Sequence, residues 1–188
     1  GSSSVSVAEP VLTRIGRDLM SDLSRRLARY RVRLGFIAAA LAFWLARPTA
    51  RSLVVGAAVA LVGEGLRIWA AGHLEKGSEV TASGPYRLTR HPLYVGSALI
   101  ALGFAIASAR LEVAVLVVLY LALTYGAAIR SEESHLTEKF GAVYPEYRQG
   151  RATGADRRFS LRRVVRNREY RAIAGLLLVL ALLVWKVL

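Results

Sequence analysis

The chain contains no cysteine. That excludes disulfides, thiolate metal ligands and a cysteine nucleophile, and it leaves the redox compartment open. No internal repeat is present, and no strand-like alternation is long enough to build a sheet. A glycine-rich phosphate loop is also missing. Gly63-Glu64-Gly65 is too short for a dinucleotide fingerprint. His91 and His135 lack the helix-face spacing with a glutamate that zinc hydrolases use, so no metal site is expected. Acidic side chains are scarce, 13 against 26 Lys and Arg. Arginines are scattered ahead of the first apolar run, so no cleavable secretory leader is expected. Gly1-Ser2-Ser3-Ser4 reads as a cloning remnant and is set aside.

What remains is apolar and basic together. Hydrophobic residues make up 54% of 188, and the net charge is +13. In a water-soluble globule these two facts conflict. They agree when apolar spans alternate with basic loops. A basic nucleic-acid binder would not need several apolar runs near membrane length, so no nucleic-acid partner is expected. The length suits one domain.

Taken in order, residues 11–30 place Leu12, Ile15, Leu19, Leu23, Leu27 and Tyr30 at helical spacing with arginines between. This predicts an amphipathic helix lying on the bilayer surface, so residues 1–31 form an arm ahead of a membrane domain at 32–188. Spans are expected at Val32–Ala46, Ser52–Gly72, Leu93–Ser108, Leu111–Ile129 and Ala172–Val187. The first is short and relies on Arg31 and Arg33 snorkelling. Arg47-Pro48-Thr49 is a turn. The second is rich in Gly and Ala, which permits close helix contact. Glu64 and Arg67 in it are three apart and can pair on one face. The fold class is thus all-α, a polytopic membrane bundle of about five transmembrane helices plus an interfacial N-terminal helix.

Charge sets the orientation. With five spans, the N-terminal arm, the 73–92 loop and the 130–171 loop share one side and, with Arg33 at the membrane edge, carry 21 of the 26 basic residues. The positive-inside rule puts that side in the cytoplasm, with 130–171 as a cytoplasmic loop.

Two polar clusters fall on that side. Tyr86, Arg90, His91 and Tyr94 stand at the start of the third span. Pro92 pushes His91 out of helical geometry and itself suits the first helical turn. Arg130, Glu132, Glu133 and His135 stand at the end of the fourth span. A tight hairpin joins the two spans, so the clusters converge. Ionisable groups at membrane depth are functional candidates; the plainer alternative is a salt bridge from Arg90 or Arg130 to Glu132. A small non-enzymatic membrane protein binding anionic lipid or a partner through its basic arms is a second reading. A transporter would need mid-span charge, which only Glu64 and Arg67 approach.

Gly84-Pro85-Tyr86, Arg90-His91-Pro92-Leu93-Tyr94-Val95-Gly96, Glu132-Glu133 with Leu136, then Phe140-Gly141, Tyr144 and Tyr147 resemble the isoprenylcysteine carboxyl methyltransferase and phospholipid N-methyltransferase family. The resemblance covers residues 50–155 and implies a membrane enzyme with S-adenosylmethionine as methyl donor. It implies donor contacts from Tyr86, Arg90, His91, Tyr94, Gly96, Glu132 and Glu133, with Glu132 leading and Glu133 supporting. The family's acceptor arginine falls at Gly150, flanked by Arg148 and Arg151; these two, with Glu132, are the catalytic candidates. A lipid or prenylated acceptor enters laterally from the bilayer. The motif spelling favours a prenyl-type carboxylate, with a phosphatidylethanolamine amine as the alternative. Methyl transfer needs in-line positioning, which supplies much of the acceleration. For a carboxylate it cancels opposite charges in a site shielded from water.

Overall fold

The computed structural model describes residues 33, 35–75, 81–140 and 157–188. These residues form helices and connections without a strand. Helix α1 is Gly35–Leu45. α2 is Ala50–His73, a 3₁₀ turn occupies Gly84–Arg87, and α3 is Pro92–Ser108. α4 is Leu111–Phe140, α5 Leu161–Arg166 and α6 Tyr170–Val187. The amphipathic arm expected over 11–30 lies outside the described residues, as do Arg148 and Arg151.

α2 and α6 are long and apolar enough to cross a bilayer; α1, α3 and the 111–126 part of α4 are apolar but shorter. The outer face is built of large apolar side chains, with Phe36 73%, Trp44 69% and Trp185 71% exposed. Surface of that kind is stable against hydrocarbon rather than water. The fold is a helical membrane bundle.

Local chemistry sets the helix ends. The Thr49 hydroxyl accepts from the Ser52 backbone N–H at 3.1 Å, and Ser52 Oγ accepts from the Thr49 N–H at 2.9 Å. This capping box starts α2 after the expected Arg47-Pro48-Thr49 turn. α3 turns into α4 through Ala109, which takes the left-handed conformation. α4 does not stop near residue 129, where the apolar pattern ends, but runs on to Phe140. The reason is that 130–140 contains no Gly or Pro and includes good helix formers in three Glu, Arg130, Leu136 and Lys139, so charge ends the crossing without ending the helix.

α3 packs most extensively on α2, through an antiparallel glycine seam. A Cβ on Gly63 would lie 2.7 Å from the Gly96 carbonyl oxygen, and one on Gly103 2.5 Å from that of Gly56. Small residues spaced by seven on each helix therefore let the two backbones touch. One turn beyond Gly63 the seam ends on Arg67, whose Cγ would lie 2.6 Å from a Cβ on Gly96.

Polar latches tie the remaining elements down. The last carbonyls of α2 are taken by the α5 region: Arg163 Nε donates to Gly72 O at 2.7 Å, and Asn167 Nδ2 donates to Ala71 O and Leu74 O at 2.9 and 3.0 Å. Lys186 near the end of α6 donates to Phe43 O and Ala46 O at 2.6 and 2.9 Å, satisfying carbonyls at the end of α1.

Candidate functional site

Pro92 occupies the first turn of α3, and His91 caps it with φ −129° and ψ 55°, outside helical geometry. The His91 carbonyl accepts from the backbone N–H groups of Tyr94 and Val95 at 3.0 and 3.1 Å. This leaves the imidazole at the helix mouth. Its Nε2 lies 3.3 Å from Glu133 Oε1, and Arg90 Nη1 donates to the same oxygen at 3.1 Å. The start of α3 and the polar extension of α4 thus meet on one carboxylate.

The acid at the contact is Glu133; Glu132 is exposed. Helix geometry explains the choice. Tyr125, Ile129 and Glu133 follow one another at four-residue intervals on the α4 face toward α3, and Glu132 is rotated away from that row.

An aromatic wall stands behind the carboxylate. His91 and Tyr94 meet edge-on with centroids 5.9 Å apart, and Tyr94 and Tyr125 do so at 5.2 Å. Tyr125 was not among the residues singled out from the sequence. The signal for it was that same four-residue row, with Tyr94 waiting on the facing helix. The Tyr125 hydroxyl hydrogen-bonds with Ser97. Ser97 in turn donates to Leu93 O at 2.9 Å and receives a hydrogen bond from Arg67 Nη1.

Arg67 is the hub below the wall. Its Nε and Nη2 each lie 2.6 Å from Glu169 Oε1, and Nη1 reaches Leu93 O at 3.5 Å. Glu64, 4% exposed, stands 3.9 Å from Arg67 Nε, so the expected i,i+3 pair forms, but Glu169 is the closer acid. One turn of α3 therefore connects a surface cluster to a buried ion pair through Tyr94 and Ser97.

An apolar cavity of about 660 Å³ opens on the other side of Arg67 and Ser97. α1, α3, α4 and α6 wall it with Phe36, Phe43, Phe104, Leu116 and Leu176 among others. Arg67, Ser97 and Tyr120 are the polar side chains on its lining.

Of the other residues singled out from the sequence, Tyr86 lies in the 3₁₀ turn that leads into His91. Gly84 begins that turn at φ 59°, and a Cβ there would meet the His73 ring 2.7 Å away. Glycine is required on both counts. Gly96 is buried in the seam against Gly63 and Arg67, so its place is explained by helix packing. Among the described residues no group of three His, Asp or Glu is disposed to hold a metal ion.

Residues 30–143 match the model of the phospholipid methyltransferase family. A cobalt-zinc-cadmium resistance protein of Cupriavidus metallidurans is 34% identical over 73% of this chain and 67% of its own. A nickel-cobalt-cadmium resistance protein of Alcaligenes xylosoxydans is 32% identical over 52% of this chain and 45% of its own. No solved structure matches.

Proposed function

The chain belongs to the phospholipid methyltransferase family, and on that premise we propose that it is a multi-pass membrane enzyme that transfers a methyl group from S-adenosylmethionine to a hydrophobic acceptor, with its site on the cytoplasmic side. The observation that carries this reading is the meeting of Arg90 and His91 with Glu133 at the rim of a tyrosine wall.

The residues fit the donor. A free amino-acid end carries an ammonium and a carboxylate side by side, and Glu133 and Arg90 carry the complementary charges next to each other. The edge-on packing of Tyr94 and Tyr125 leaves ring surface to attract a sulfonium. S-adenosylmethionine supplies an electrophilic methyl on positively charged sulfur. Glu133, Arg90 and His91 fix the polar end of the site, and the tyrosines set the direction of approach. Orientation of this kind is the main contribution a protein makes to a one-carbon displacement.

The acceptor's apolar part takes the 660 Å³ cavity, which the bilayer can fill from the side. The motif spelling favours a prenyl-type carboxylate, whose oxygen forms the new C–O bond while sulfur keeps the electrons of the old one. A phospholipid amine is the second reading, favoured by the family's own description. An amine must also lose a proton, and the His91–Glu133 pair is placed to take it. Arg148 and Arg151 are proposed to face the acceptor.

Calorimetric titration of S-adenosylhomocysteine into the purified protein tests the reading. Binding that is lost in His91→Ala and Glu133→Ala supports it. Absence of binding to the unmutated protein overturns it and favours the non-enzymatic membrane role. Labelled methyl donor with separate prenyl-carboxylate and phosphatidylethanolamine acceptors then decides between oxygen and nitrogen.

A further inference from the structure

The site leaves the α5 region unused, and its surface has an order of its own. Residues 157–171 contain seven arginines. Three are engaged inside the protein. Arg166 pairs with Glu75, Arg157 Nη1 lies 4.0 Å from it, and Arg163 holds the Gly72 carbonyl. Arg158, Arg162, Arg168 and Arg171 point outward and meet no carboxylate among the described residues.

Between these cations stand two apolar side chains that no core receives. Leu161 is 69% exposed and Val165 64%, one helical turn apart. Arg162 stands beside them on α5, and Arg158 lies exposed in the non-helical segment that leads into it. Leu161 and Val165 form an apolar stripe edged by cations, as on a helix lying in a bilayer interface.

The depth of α5 is fixed by its neighbours. Buried Val164 and the bonds of Arg163 and Asn167 bolt it to the last turn of α2. Three residues further on, Tyr170 opens α6 and is half exposed. Trp69, in the last-but-one turn of α2, is 41% exposed. Trp and Tyr at the ends of spans mark the headgroup level. α5 therefore sits where one span ends and another begins, with its apolar stripe and the flanking cations turned away from the protein.

We propose that α5 is a lipid-reading foot: it rests on anionic phospholipid head groups, with Leu161 and Val165 dipped toward the acyl chains and Arg158, Arg162, Arg168 and Arg171 on the phosphates. The excess of four outward cations over acids selects anionic lipid over zwitterionic lipid. This assignment is independent of methyl transfer.

The absence of native cysteine makes the test clean. Val165→Cys is labelled with an environment-sensitive fluorophore and reconstituted in mixed phosphatidylglycerol–phosphatidylcholine nanodiscs. Bromine quenchers are carried on the acyl chains of one lipid or the other at equal mole fraction. The brominated anionic lipid should quench about twofold or more better than the brominated zwitterionic lipid, reflecting enrichment at the outward cations. In an Arg158→Gln/Arg162→Gln/Arg168→Gln/Arg171→Gln background that ratio should fall to unity with both lipids still quenching. A label at Ala109→Cys, in the hairpin at the opposite ends of α3 and α4, should show no preference. Equal quenching by both lipids at position 165 overturns the selectivity, and no quenching by either overturns the interfacial placement.

Discussion

Arg67 and Glu169 lie 102 residues apart in the chain and 2.6 Å apart in space. Both are in the low-exposure interior, and Glu64 adds a second carboxylate beside the same guanidinium. The pair ties the last third of α2 to the start of α6 and, through Ser97, to the wall of the site.

Breaking that pair from one side leaves Arg67 with only the more distant Glu64, or leaves both acids without a cation. Glu169→Leu should destabilise the protein by about 3–5 kcal/mol. Arg67→Met should cost as much, because it leaves two acids facing each other. A triple variant that also carries Glu64→Leu, and so leaves no charge behind, should recover a large part of the loss. Thermal unfolding in a single detergent measures all three, and additive losses would show that the two residues do not act together.

At the rim, Glu133 and Glu132 differ in placement although they are neighbours in sequence. Glu133 accepts from Arg90 at 3.1 Å, while Glu132 is exposed. A hydrogen bond to a charged group contributes about 1.5–3 kcal/mol, so Glu133→Gln should weaken S-adenosylhomocysteine binding by roughly 10- to 100-fold. Glu132→Gln should change it by less than about threefold, as exposed carboxylates contribute little. Titration calorimetry on the two variants reads the difference directly; a stronger effect at Glu132 would reverse the roles.

Much of the bundle was readable from one-dimensional pattern. Apolar runs placed α2, α3 and α6 almost to the residue, and Pro92 marked the start of α3 because its ring dictates the geometry of His91. The convergence of the α3 and α4 ends followed from hairpin connectivity alone. The extension of α4 to Phe140 was missed because hydropathy reports the solvent a segment prefers, not where its backbone hydrogen bonds stop. The choice of Glu133 over Glu132 needed the rotation of α4 about its axis, which the row Tyr125–Ile129–Glu133 encodes only when read against α3. Glu169 could not be paired with Arg67 from sequence, since nothing in a loop of that length fixes where its far end returns.

The glycine seam gives a prediction of a different kind. Gly63 has no room for a side chain, because its Cβ would press on Gly96 O at 2.7 Å and Leu99 Cβ at 2.8 Å. Gly63→Ala should cost about 1–3 kcal/mol by forcing the helices apart, and Gly63→Val more. Gly65, on the opposite face of α2, has open space where a Cβ would go. Gly65→Ala should be neutral or slightly stabilising, since alanine is the better helix former. Melting temperatures of the three variants side by side separate packing from helix propensity.

Tyr125 tests whether the wall acts through its ring or its hydroxyl. The ring meets Tyr94 edge-on at 5.2 Å, and the hydroxyl bonds with Ser97. Tyr125→Phe keeps the ring and removes only the hydroxyl, while Ser97 retains Leu93 O and Arg67 as partners. Tyr125→Leu removes the ring face itself. An aromatic face near a cation contributes about 0.5–2 kcal/mol depending on desolvation. Binding of the sulfonium donor should therefore weaken by roughly 2- to 30-fold in Tyr125→Leu and hold nearly steady in Tyr125→Phe. S-adenosylhomocysteine, which lacks the positive charge on sulfur, supplies the internal control. If the ring serves the cation, Tyr125→Leu must lose more affinity for the charged ligand than for the neutral one. Equal losses for both would assign Tyr125 to packing against Tyr94 and nothing further.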